Sequence, residues 1–300
     1  MKQLLVLVAL IAAAQALGAW KGGLKVRFGM NVIGYGRSYF MSVPRTIAEA
    51  KNARWVQQPR PDGPMPELVL YCPSQNDRVL CALFDDTAYV AGLQVALDEA
   101  KMTDAPFDWK VQGFTRWTPP PNTQGVVETY QTIQQYFIDE VELAKTPAER
   151  ITARNADKTI QFNGVWVTGF NGERMRISDR TEDIANTAVS HFTKQACIPL
   201  MGRHYYYNMT ASTACTADSL FPWFPLVHSG ELIGMGFIVF GKLEEKAIIR
   251  DYFERPPVTA VKVIVPDGPE CLYEMARDPA MITMHSYYIN TPWLVDCLLQ

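Results

Sequence analysis

Apolar residues in this chain fall mostly in short runs rich in β-branched and aromatic residues, as strands do, and turn-forming dipeptides cut the runs. The clearest stretch is 159–177, where Asn163-Gly164 and Asn171-Gly172 interrupt β-branched and aromatic residues. Asn-Gly supplies the positive φ angles of a type I′ turn, so the pattern predicts a three-stranded antiparallel meander. Residues 221–240 predict a hairpin about Ser229-Gly230. Residues 67–97 predict further strands, broken near Asn76-Asp77 and Asp85-Asp86, and 257–265 and 281–289 add two more.

A period of 3.6 is scarcer. Asp179 and Glu182 stand at capping-box spacing, followed by Ile184, Ala188, Phe192 and Gln195 at helical intervals. Thr146-Pro147 and the stretch 44–53 mark two more short helices. Between 126 and 145 two signals conflict. Val126, Tyr130, Ile133, Phe137, Val141 and Ala144 keep helical spacing, whereas the β-branched content favours a strand. The balance predicts an α+β, β-dominated fold: antiparallel sheets in meanders and hairpins, with a few short helices. Pro-rich segments at 59–66 and 118–121 read as surface loops, and the second is where two lobes, 19–121 and 122–300, would part. The stretches beginning at Leu83 and Leu226 each place a turn before a glycine-containing apolar strand, a short internal similarity.

The N-terminus changes the picture. Lys2 precedes an apolar run from Leu4 to Leu17 that ends in small residues, the order of a secretory signal peptide over 1–18. The run is too short for a membrane span, and no later run is long enough, so the expected product is a secreted, extracellular domain over 19–300. With 48% hydrophobic and 11% aromatic residues, that domain can fill a core. Loss of Lys2 with the leader moves the formal charge from −3 to −4, and the charges form no runs. Nucleic acid is therefore a poor partner, and no cofactor fingerprint is present.

Six cysteines behind a leader imply three disulfides. The economical expectation pairs neighbours: Cys72 with Cys81, Cys197 with Cys215, and Cys271 with Cys297. A turn near Asn76-Asp77 puts Cys72 opposite Cys81 at a non-hydrogen-bonded site, about 4.5 Å apart, which a disulfide accepts. Pro73 falls where the ladder wants an N–H, so that strand lies at an edge or the loop is wider. None of the six stands in a C-x-x-C or C-x-x-H arrangement, so no metal is expected. Asn208-Met209-Thr210 is a glycosylation sequon, set inside the second neighbouring couple.

Candidate chemistry rests on four histidines. His191 falls in a predicted last helical turn, and His228 beside a hairpin turn. His204 and His285 each precede tyrosines on predicted strands, so alternation places His204 with Tyr206, and His285 with Tyr287, on common faces. Paired strands would bring these four together as a ligand surface. No G-x-S-x-G elbow, phosphate loop or H-E-x-x-H motif occurs. The leading expectation is a secreted, non-enzymatic protein that binds a small apolar or aromatic ligand, or a protein partner. The alternatives are a secreted hydrolase using His204 or His285 as general acid/base, and a structural component of an extracellular matrix or body fluid.

Overall fold

Two antiparallel sheets organise the chain, which the computed structural model describes over residues 20–28, 39–244 and 251–298. The leader expected at 1–18 lies outside the described residues. One sheet orders β3 (Val56–Gln58), β4 (Val69–Cys72), β5 (Leu80–Phe84), β6 (Val90–Asp98), β9 (Tyr130–Tyr136), β10 (Val165–Thr168) and β11 (Arg174–Ile177), with β8 (Thr115–Trp117) also on β9. The other orders β12 (Phe192–Ile198), β13 (Gly202–Tyr207), β14 (Trp223–His228), β15 (Glu231–Phe240), β17 (Met281–Ile289), β1 (Lys21–Arg27) and β2 (Phe40–Ser42). β7 (Met102–Thr103) pairs with β16 (Lys242–Leu243).

These two sheets are one meander built twice. In the first, Leu83 faces Gly92 and Gly92 faces Tyr136; in the second, Leu226 faces Gly234 and Gly234 faces Tyr287. A register shift follows the leucine in both, at Leu83/Phe84 and at Leu226/Val227. Both glycines are needed for the same reason. A Cβ on Gly92 would lie 2.5 Å from the Gln135 carbonyl oxygen, and one on Gly234 would lie 2.2 Å from that of Ser286. The stretches at Leu83 and Leu226 are thus corresponding hairpins of a duplicated unit. The second unit is completed by β1 and β2, from the opposite end of the chain.

Corresponding residues also touch. Gln135 Nε2 donates to Ser286 Oγ at 3.0 Å, and Phe137 meets Tyr288 edge-on at 5.2 Å between ring centroids. β7 and β16, which follow corresponding strands, pair with each other. A pseudo-two-fold relation therefore runs through the core between the sheets. That core takes Phe84, Val95 and Ile133 from one sheet and Trp223, Phe237 and Met284 from the other.

Each sheet buries its outer face separately, so its strands are buried on both sides. On the first, Leu70, Cys72, Cys81, Leu83 and Tyr136 pack under Met65, Leu68 and Trp117. On the second, Tyr206, Phe224, Leu226, Phe240 and Tyr287 pack with residues of two helices, Val258–Ile264 and Glu270–Arg277. The remaining described helices are α1 (Ile47–Asn52), α2 (Glu140–Leu143), α3 (Pro147–Asp157), α4 (Thr181–Ala185) and α5 (Thr187–Ser190), which makes the two covering helices α6 and α7. No helix among the described residues is long and apolar enough to cross a membrane.

The fold class expected from the pattern is the one observed: β-rich, antiparallel, with short helices and three disulfides. Several local expectations need correction. Residues 257–265 form α6 instead of a strand; Pro257 precedes it, and Val258, Val261, Ile264 and Val265 turn one helical face to the core. Burial at that spacing outweighs the β propensity of the valines. Residues 159–162 are not a strand, because β9 takes the edge of β10 that they would need. Asn163 and Asn171 nevertheless take the positive φ their turns require, 55° each. The helix expected after Asp179 breaks at Asn186, and Phe192 begins β12. The chain on either side of 121 shares one sheet through β6 and β9.

Cys72–Cys81 forms as expected, with a Cα separation of 4.3 Å and a loop wider than two residues. The other bonds are Cys197–Cys297 and Cys215–Cys271, not the neighbouring couples. Cys197 lies on β12, at the edge of its sheet, beside the C-terminal segment. Cys215 lies in the loop after β13, against the start of α7. The sequon loop is therefore fastened to α7 and not closed on β12.

Candidate ligand cavity

Comparison of corresponding positions in the two units isolates one place where they differ in chemistry. Gln94 on β6 faces Gln134 on β9, and the corresponding pair on β15 and β17 is Gly236 and His285. Leu70 corresponds to His204, Thr168 to Arg27, and Thr115 to Glu254. The first unit is neutral here: Gln134 bonds Gln94, Thr132 and Thr168. The second unit replaces that network with two histidines, an arginine and a glutamate.

The expected meeting of His204 and His285 occurs, but not by direct pairing of their strands. β14 and β15 lie between β13 and β17. The two rings approach to 5.9 Å between centroids across Gly236, where there is no side chain to separate them. Phe224 fills the space above that glycine. A Cβ on Gly236 would lie 1.9 Å from two Phe224 ring carbons. His204 stacks with Phe224 at 5.6 Å, and Tyr206 stacks with the same ring at 4.7 Å. This stacked Tyr206–Phe224 pair occupies the positions that Cys72 and Cys81 hold in the first unit. Gly236→Ala should cost about 1–3 kcal/mol, the usual range for forced overpacking, read as a lowered urea midpoint.

Above these residues the sheet and the covering helices leave a cavity, with ≈ 50 Å³ open to the centres of water-sized spheres. Its floor is His204, Tyr206, Phe224, Thr283 and His285; its roof and sides include Val261, Val265, Leu272, Phe221 and Met209, with Glu254 at one wall. Tyr287 is not among the lining residues. It is buried, donates to the Leu200 carbonyl at 3.4 Å and packs edge-on against Phe40. Burial raises the phenol pKa of both Tyr206 and Tyr287, so both stay neutral. His191 and His228 lie away from the cavity.

The polar wall is a short chain of buried groups. Glu254 pairs its backbone with Thr283, which brings its carboxylate beside His285. Glu254 Oε1 stands 3.4 Å from His285 Nδ1 and 3.2 Å from Arg27 Nε, and its side chain is only 2% exposed. Burial alone would raise its carboxyl pKa; His285 and Arg27 outweigh that and hold it below the usual range. Both contacts lie within ion-pair distance but lack hydrogen-bond geometry, so charge pairing holds Glu254 Oε1 and His285 Nδ1 together.

His204 is fully enclosed. Its Nδ1 lies 3.1 Å from the Gly202 carbonyl oxygen, which can only accept, so the proton sits on Nδ1 and Nε2 is an acceptor. Nε2 has no hydrogen-bond partner. Burial first, and the nearby His285 second, push the His204 pKa down to about 3, against weaker opposition from the Gly202 and Ala196 carbonyls. A buried acceptor without a partner costs about 1–3 kcal/mol. His204 Nε2 is such an atom, on a residue that lines the cavity, and a donor on a ligand would complete it.

Arg27, Gly236, Thr283 and Glu254 were not anticipated as site residues. Glu254 carried no clear signal, since Asp251 and Arg255 beside it make the segment read as an ordinary charged loop. Among the described residues, no group of three or more His, Cys, Asp and Glu side chains converges as metal ligands do. Comparison of the chain with protein-family models, with curated proteins and with solved structures finds no match.

Proposed function

We propose that this is a secreted binding protein that holds a small, mainly apolar ligand in the cavity between its second sheet and α6 and α7. One observation carries the reading: a cavity lined mainly by apolar and aromatic side chains also takes His204, His285 and Glu254 into its lining, and His204 keeps a buried ring nitrogen without a hydrogen-bond partner. Ligand sites combine such linings with a few convergent polar groups. At the corresponding positions the first unit has neutral glutamine and threonine side chains, with Gln134 bonded to Gln94 and Thr168.

Three disulfides support an extracellular setting, since such bonds persist in oxidising compartments. Asn208 is exposed directly after Tyr207, a cavity residue, so a glycan there would stand beside the cavity without filling it. The Cys215–Cys271 bond fastens the loop carrying Met209 to α7 and so fixes two sides of the cavity relative to each other.

Titration of the oxidised, mature protein with indole, followed by calorimetry, tests the reading. Indole is small, neutral and aromatic, and saturable binding is expected. Val261→Phe places a ring into the cavity from α6 and should weaken binding at least ten-fold, about 1.4 kcal/mol, while the fold persists. Absence of binding to the native protein, or unchanged affinity in the variant, would overturn the assignment.

A further inference from the structure

The chemistry of the cavity wall restricts what the ligand can be. Glu254 Oε1 is paired with His285 and Arg27, so the atom of the lining left with neither a hydrogen bond nor an ion pair is His204 Nε2, an acceptor. An imidazolium at His204 would be a buried charge with no carboxylate in contact, since Glu254 is engaged with His285 and Arg27. The neutral acceptor form is therefore the one the packing holds. A ligand carboxylate would meet Glu254 and the His204 acceptor, and would lose its hydration for repulsion. A ligand ammonium would enter beside Arg27 and a glutamate whose charge Arg27 already offsets. A neutral hydroxyl meets neither penalty: it donates to the acceptor and adds no charge. The body of the ligand faces Phe224, Tyr206 and Phe221, whose faces suit a planar ring.

Resting on the binding reading above, we infer that the cavity selects a small, neutral, hydroxyl-bearing aromatic of the phenol class, its hydroxyl donating to His204 Nε2. The site discriminates by hydrogen bonding: a ring without the hydroxyl leaves the buried acceptor unpaired, and sites built in this way reject such analogues far more strongly than sites that read shape alone.

A series on one scaffold tests this: p-cresol, toluene, benzoate and benzylamine, each titrated into the oxidised full-length mature chain at pH 7. p-Cresol should bind at least ten-fold more tightly than toluene, and benzoate and benzylamine more weakly than p-cresol. His204→Leu carries the side chain that Leu70 provides at the corresponding place in the first unit. It should reduce p-cresol to the affinity of toluene and leave toluene unchanged or tighter. A second readout needs no variant: the imidazole nitrogen resonance of His204 Nε2 should move on adding p-cresol and stay in place with toluene. Equal affinity for p-cresol and toluene, a preference for benzoate or benzylamine, or a cresol preference that survives His204→Leu would overturn the inference. In each of those cases indole binding would still stand and the cavity reading with it. Failure of every ring compound, indole included, would remove both.

Discussion

Arg27→Thr should destabilise the protein by about 3–5 kcal/mol at pH 7, the range expected when one member of a buried ion pair is removed and its partner stays charged. The mechanism is specific. Glu254 is almost wholly enclosed, and two neighbours, Arg27 and His285, hold it in its charged form. Without the guanidinium, burial dominates. Glu254 must then either remain charged at high cost or take up a proton, which itself costs free energy at neutral pH. Threonine is the informative replacement because the first unit has Thr168 at this position and Thr115 at the position of Glu254. The double substitution Arg27→Thr with Glu254→Thr should accordingly recover at least half of the loss, since it removes the stranded charge. Urea unfolding with the disulfides intact, on wild type, both single variants and the double variant, gives the coupling energy directly. A single-variant loss under about 1 kcal/mol, or additive losses in the double, would show that Glu254 does not depend on Arg27.

Much of the scaffold was legible because local chemistry specified it. Asn163, Asn171 and Ser229 each take positive φ at the tight turns their dipeptides announced. Thr146 and Glu149 bond each other's backbone as a capping box and open α3. Alternation placed His204 with Tyr206 on one face, and the strand pattern around Cys72 and Cys81 placed one disulfide. What escaped was set by distant parts of the chain. The partners of Cys197 and Cys215 depend on where the C-terminal segment and α7 dock, which spacing does not encode. The duplication was nearly hidden because corresponding positions exchange whole interactions: a disulfide at Cys72 and Cys81 becomes a ring stack at Tyr206 and Phe224. The cavity was only half visible. Two histidines could be singled out from their tyrosine neighbours, but the glycine that lets them meet reads as an ordinary strand glycine. Arg27 and Glu254 come from β1 and from a bridge to β17, more than two hundred residues apart, and converge only once the second sheet is closed by the chain's first strands.

His204 should make the protein sensitive to mild acid. Its pKa in the folded state, pushed down to about 3, lies below the ordinary histidine value of 6.5. Between those values the unfolded chain holds a proton on this ring and the folded chain does not. Stability therefore rises with pH across the window. The contribution is complete above about pH 6.5 and is lost progressively as pH falls toward 3. At pH 4 the loss amounts to about 3 kcal/mol, taking about 1.4 kcal/mol for each unit below the ordinary value. Glu254 acts in the same direction at lower pH: its depressed carboxyl stabilises the fold above the ordinary carboxylate value, and that share is lost as it protonates. The groups facing His204 cannot rescue the imidazolium. His285 repels it, Arg27 repels it, Tyr206 is neutral, and the covering residues Val261, Val265 and Leu272 are apolar. The other histidines and the surface carboxylates also titrate, so the informative quantity is a difference. Urea midpoints of wild type and His204→Leu, measured at pH 7, 5.5 and 4, should show the wild type losing stability relative to the variant as the pH falls, because only the wild type has an imidazole left to charge on unfolding. Parallel pH profiles for the two proteins would show that His204 accepts its proton in the folded state as readily as in water, and that the packing around it does not hold the neutral form.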